Sequence, residues 1–282
     1  MKIIILFFAF ISTALFADIQ TYKEYNIISS WEESVEVYKS GKTYSLNAYI
    51  FTPSENPKNQ KRPAILFFHG GGWFEGNPEG FKINSKSFAQ KGWIAVSLEY
   101  RLSNDKDINP VHCIIDAKSA VRWIRKNSDR LNIDPDKIVV AGQSAGGHLA
   151  LSTGLVSDFN DKADDLSISC IPNAIICYSA CFDPQRDSWF DKLLPDNIDI
   201  RKTSPYFNIK SDIPPILIFH GKNDEIVSYQ QAVDFQNKAI KFNNTCILYS
   251  FESGVHNLWP SNHEKIRVVS EDFLIKLGFT IN

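Results

Sequence analysis

Charge of one sign is what this chain most lacks. Thirty Lys and Arg stand against 32 Asp and Glu, a formal net charge of −2, and neither sign forms a long run. A polyanion has no basic patch to grip, so no nucleic-acid partner is expected. Long apolar runs are also missing, since a membrane helix needs about 20 such residues. The one pronounced apolar stretch, Ile3 to Phe16, is too short for that. It follows Met1-Lys2, carries the small Ala14 and is followed by Ala17 and the polar Asp18 and Gln20. This is the pattern of a secretory signal peptide. Removal after Ala17 is expected, with Ala14 the alternative. The mature chain is then a single domain over residues 18–282, exported to the periplasm or beyond the cell, with no membrane span.

Cysteine is sparse: Cys113, Cys170, Cys177, Cys181 and Cys246. The odd number leaves at least one thiol free or paired with another chain. Cys170, Cys177 and Cys181 lie close enough in sequence for a bridge among them, with burial as core residues the alternative. Their spacing matches no zinc pattern, and neither metal nor cofactor is expected.

What is present is alternation. Tyr44 to Phe51 reads as a strand ended by Pro53, with one or two more strands before it. Ala64 to Phe68 is a continuous apolar run, as in a strand buried on both faces. Strands follow at Trp93 to Leu98, Lys137 to Ala141, Asn173 to Cys177, Pro215 to Phe219 and Thr245 to Phe251. Between and after them, Val111 to Ser128, Ala145 to Val156, Tyr229 to Phe242 and His263 to Leu277 read as helices. Strands alternating with helices mean an α/β fold with a parallel sheet covered on both faces. The irregular Phe182 to Ile213, rich in Asp and Pro, should lie over the carboxyl ends of the strands, where such sheets place ligands.

Gly142-Gln-Ser-Ala-Gly146 is a G-x-S-x-G pattern between a strand and a helix, which is the context of a nucleophile elbow. The turn is tight, so the neighbours of Ser144 must be small, and the helix N-terminus favours negative charge near its hydroxyl. His69-Gly-Gly-Gly-Trp73 directly follows the strand at Ala64 to Phe68. Glycines there let backbone N–H groups approach an oxyanion, and Gly71, Gly72 and Ala145 are the expected donors. His69 is expected to brace this loop.

A serine hydroxyl needs a histidine base. Of the six histidines, His256 sits in a loop after the last strand, as the Ser–acid–His chain order requires. His148 lies four residues after Ser144 and should point away from it. Asp224, just past a strand end, is the expected acid, with Glu225 in reserve.

These blocks resemble the hormone-sensitive-lipase-type and feruloyl/acetyl-xylan-type esterases of the α/β-hydrolase superfamily. Glu99-Tyr-Arg-Leu102, Asp116-Ala-Lys-Ser-Ala-Val-Arg-Trp123 and Pro215 to Asp224 are similar as well, so the likeness runs from about residue 44 to 277. The resemblance implies a mostly parallel eight-stranded sheet with an antiparallel strand near its start, helices on both faces, and a small or absent cap. It also implies cleavage of carboxylic esters without a cofactor, and a buried structural pair of Arg101 with Asp116. Where relatives often carry glycine and aromatics after the base, this chain has Asn257-Leu-Trp259. Trp73 and Trp259, with Trp189, are expected to line the substrate pocket. The expected substrates are short-chain acyl esters, with acetyl or feruloyl groups on plant polysaccharides as candidates. A serine peptidase on the same fold and a non-catalytic binding module are the competing readings.

Overall fold

The computed structural model describes residues 30–55, 60–105 and 107–280, and the expected leader at 1–17 lies outside them. Its centre is one sheet of eight strands: β1 (Trp31–Ser40), β2 (Ser45–Pro53), β3 (Arg62–Phe68), β4 (Ile94–Leu98), β5 (Ile133–Gln143), β6 (Ala174–Tyr178), β7 (Ile216–Gly221) and β8 (Cys246–Phe251). Their spatial order is β1-β2-β4-β3-β5-β6-β7-β8. β1 and β2 run antiparallel to their neighbours, and every other pairing is parallel.

Period-two alternation splits each central strand between two cores. In β3, Ala64, Leu66 and Phe68 enter one apolar cluster while Ile65 and Phe67 enter the other. All seven residues of β3 are buried, which accounts for its unbroken apolar run. Helices α2 (Pro110–Lys126), α3 (Ala145–Leu155) and α6 (Tyr229–Lys241) cover the first face. Helices α1 (Lys82–Gln90) and α7 (Trp259–Lys276) cover the second. The short helices α4 (Ser188–Leu193) and α5 (Ile200–Thr203) lie in the irregular segment after β6.

Two elements depart from expectation. Helix α1 carries no apolar stripe: its buried positions are Ser85 and Ala89, and Ile83 faces solvent. Periodicity therefore gave no signal. The last helix starts at Trp259 rather than at His263, because Pro260 occupies its first turn, where a missing N–H costs nothing.

The expected Arg101–Asp116 pair forms through two contacts of 2.7 Å, and Lys39 from β1 reaches the same carboxylate at 2.8 Å. Asp116 is fully buried, so these partners together neutralise a charge that would otherwise be costly. Of the two readings for Cys170, Cys177 and Cys181, burial holds and no bridge forms: all five cysteines are free and buried. Each thiol turns to its own surroundings. Cys170 Sγ faces the Thr153 carbonyl at 3.6 Å, and Cys177 Sγ, inside β6, faces the Gly147 carbonyl at 3.9 Å.

Candidate active site

Every candidate group sits at the carboxyl end of a parallel strand. Ser144 follows β5 with φ 54° and ψ −120°, a strained conformation for a residue with a side chain. Close packing enforces it. A methyl group on Gly146 would lie 2.1 Å from the Phe68 carbonyl oxygen of β3, so the turn can press against the neighbouring strand only with glycine there.

The loop after β3 supplies the next part. Gly71 has φ +121° and a Cβ there would meet the Glu75 carbonyl oxygen at 2.0 Å, so the loop folds only with glycine. Its carbonyl accepts the N–H groups of Phe74 and Glu75 at 3.1 and 2.9 Å, which pins the turn. Among the described residues, the Gly71 and Gly72 N–H groups donate to no protein acceptor. The N–H of Ala145 lies in the first turn of α3, where helical partners are missing. His69 braces the loop as expected: its Nδ1 lies 2.7 Å from the Gly70 carbonyl, and its ring stacks on Tyr100 at 4.3 Å.

The candidate acid and base are joined directly. His256 Nδ1 lies 3.0 and 2.9 Å from the two oxygens of Asp224. Asp224 Oδ1 also accepts the backbone N–H groups of Ile226 and Val227, each at 2.9 Å. Burial works to raise the Asp224 pKa, but hydrogen bonds from His220, His256 and Val227 outweigh it and hold the carboxyl well below its usual range. Glu225 is exposed and takes no part. Ser144 and His256 line one open cleft of about 1120 Å³, with Gly71, Gly72 and Trp189 on its walls.

Sequence reasoning passed over His220, which ends a strand and carries no motif signal of its own beyond preceding Gly221. Its ring is fully buried, with Nε2 at 3.1 Å from Asp224 Oδ2 and 2.9 Å from the Val227 carbonyl. Nδ1 has no partner, so the proton sits on Nε2 and serves the carboxylate. A hydrogen bond to a charged group contributes about 1.5–3 kcal/mol. We expect His220→Ala to lower kcat by roughly ten- to a hundredfold. His220→Gln, whose amide reaches the same oxygens, should recover most of it. Equal losses in both variants would reduce His220 to a packing residue.

His148 points away from Ser144, as expected. It accepts from Trp73 Nε1 at 3.2 Å on Nδ1 and donates from Nε2 to the Thr203 carbonyl at 2.8 Å. Trp73 borders the cleft, but its indole is 2% exposed and turned inward onto His148 and Phe190. Trp259 lies outside the Ser144 cleft, packing on Tyr178 in a neighbouring groove. Trp189 does reach the cleft, 43% exposed, and donates to the Gly72 carbonyl at 2.9 Å. The irregular segment thus closes over the strand ends through this bond.

Burial lowers both His69 and His148 from 6.5 to about 4. In the unfolded chain each takes a proton near pH 6.5. Their folded pKa values are depressed, so stability is undiminished above pH 6.5 and declines as pH falls toward about 4. The slope from each ring is at most about 1.4 kcal/mol per pH unit. Urea unfolding across this window should show that decline, and His148→Gln should remove about half of it. A profile flat between these limits would mean that the two rings are charged in the folded state.

The fold and this group of residues define an α/β-hydrolase. The chain belongs to the BD-FAE family, whose model matches residues 49–239. It is 31% identical to Esterase LipC of Mycobacterium tuberculosis over 198 residues, 61% of this chain and 47% of that one. Endo-1,4-beta-xylanase B of Butyrivibrio fibrisolvens is 26% identical over 259 residues, 88% of this chain and 39% of that one. The chain therefore spans about half or less of these relatives. Among solved structures, Thermogutta terrifontis esterase 2 phosphoramylated by tabun has a TM-score of 0.84 at 33% identity, covering 89% of this chain and 96% of that one. The butyrate-bound form of the Thermogutta terrifontis esterase Est2 has a TM-score of 0.81 at 32% identity, covering 88% and 95%. The matched region is an esterase domain of the α/β-hydrolase superfamily.

Proposed function

We propose that this protein is an exported carboxylic ester hydrolase that works through Ser144, His256 and Asp224. The observation that carries the reading is the Asp224–His256 pair at 2.9 Å, in a cleft shared with a serine on a strained elbow. Asp224 fixes His256 with its proton on Nδ1, leaving Nε2 free to act as base. Ser144 Oγ attacks the ester carbonyl as His256 takes its proton. The Gly71, Gly72 and Ala145 N–H groups receive the oxyanion. The tetrahedral species collapses, His256 gives the proton to the leaving alcohol, and an acyl-serine remains. Water, deprotonated by the same histidine, then releases the acid and restores Ser144.

For the substrate, we favour short acyl groups on a bulky, sugar-rich alcohol. The cleft is open, and Trp189 and Phe74 meet edge to face at 5.6 Å along one wall, both partly exposed. Such faces suit the apolar sides of sugar rings. The similarity to a protein named as a xylanase supports acetyl or feruloyl groups on plant polysaccharides. Export through residues 1–17, to the periplasm or the medium, belongs to the same reading.

The test is mature protein beside Ser144→Ala on p-nitrophenyl acetate and butyrate and on acetylated xylan. Ester turnover that vanishes in the variant, with acetate released from xylan, is the expected result. Turnover unchanged in Ser144→Ala, or none of any ester, would overturn the hydrolase reading. Ester turnover without acetate from xylan would overturn the polysaccharide part alone.

A further inference from the structure

A second groove, of about 810 Å³, runs beside the catalytic cleft between α1 and α7. We propose that it is a subsite for an extended alkyl segment of the ester, a substrate feature beyond the short acyl group. This inference rests on the hydrolase reading above.

Continuity with the cleft comes first. Gly80 and Gln143 line both spaces. A Cβ added to Gly80 would meet no atom within 4 Å, so the passage over it is open. In β5, Val139 and Ala141 face the α1/α7 side, and strand alternation turns Gln143, next to Ser144, the same way. Gln143 therefore stands at the head of the groove, one residue from the proposed nucleophile.

The exposed lining is more apolar than polar, although Asn84, Asn257, His263 and Glu264 also border it. Ile83 and Phe88 come from α1, Ile266 from α7, and Tyr178 and Trp259 form the end near the cleft. Ile83 is 83% exposed, a large apolar side chain with no protein cover. Both helices begin beside the cleft and lead away from it. From Trp259 to Glu271, α7 advances roughly 18 Å at 1.5 Å per residue. At the far end Lys91, just past α1, pairs with Glu271 of α7, which also pairs with Arg267 one turn earlier on α7 at 2.9 Å. These charges set a stop, because burying methylenes against them brings no gain.

The short acyl group favoured above puts the alkyl segment on the alcohol. A rise along the acid series would overturn that short-acyl reading while keeping the subsite, and two series separate these sources. One is p-nitrophenyl esters from acetate to dodecanoate. The other is acetates of primary alcohols from ethanol to dodecanol. We expect kcat/KM to rise along one series, by up to about fourfold per buried methylene, and then to level off. Ser87 lines the groove midway along α1 and does not line the cleft. Ser87→Trp should bring the plateau to a shorter chain and lower the ten-carbon to two-carbon ratio at least tenfold in that series. Ile83→Asp, at an exposed position that tolerates the change, should lower the same ratio. Ratios within twofold of wild type in both variants and both series would overturn the subsite while leaving the hydrolase intact. An enzyme that turns over no ester would overturn the hydrolase reading and this inference with it.

Discussion

Replacing Ser144 with alanine should lower kcat on p-nitrophenyl butyrate by roughly five to six orders of magnitude, the loss usual when a hydrolase nucleophile is removed. The residue left behind keeps the elbow, so folding should survive. Ser144 is held at φ 54° and ψ −120°, a conformation that costs about 1–3 kcal/mol in a residue with a Cβ. Ser144→Gly should therefore be equally inactive yet more stable than Ser144→Ala in thermal unfolding. That pair of outcomes separates chemistry from strain: the side chain is kept for the reaction at the expense of the fold. Activity within tenfold of wild type in either variant would move the nucleophile elsewhere.

Asp224→Asn should cost about four orders of magnitude in kcat, and its cause differs. Oδ1 already accepts two backbone N–H groups, from Ile226 and Val227. The asparagine oxygen must stay there, so its amide group turns toward His256 Nδ1 and His220 Nε2. It then donates to His256, which forces the proton onto Nε2 and leaves no base to face Ser144. It also meets the His220 N–H, donor against donor, inside a fully buried site. Stability should fall by about 1–3 kcal/mol, the cost of an unsatisfied buried donor. In the wild type the depressed pKa works in the opposite direction. The stability that it contributes is complete above the unfolded value near pH 4 and is lost only as pH falls toward the folded one. A kcat loss below tenfold in Asp224→Asn would hand the orienting role to another group.

Much of this arrangement was legible because its constraints are local. The elbow and the loop after β3 need glycine where backbone meets backbone, at Gly146 against Phe68 and at Gly71 against Glu75. Such contacts leave a spelling in the chain. The buried strands were readable from their unbroken apolar runs for the same reason. What escaped depends on long-range orientation. The name tryptophan says nothing about which way an indole turns, and Trp73 turns inward because His148 offers an acceptor 75 residues away. Trp259 joins Tyr178 only once β6 and α7 are side by side. His220 looked like a strand end until the turn at Asp224 folded back over it. Helix α1 hid for a thermodynamic reason: it buries a serine and an alanine, and a weakly apolar face carries no period to detect.

The five separate buried thiols give the molecule a built-in counter. An alkylating reagent finds nothing to modify in the closed state, where burial also pushes the Cys177 and Cys181 thiols well above their usual range. Each tag added marks one region of the chain that has opened: Cys113 reports on α2, Cys177 on the middle of the sheet, and Cys246 on its far edge. Intact masses carrying between zero and five adducts would therefore record the order in which the layers come apart.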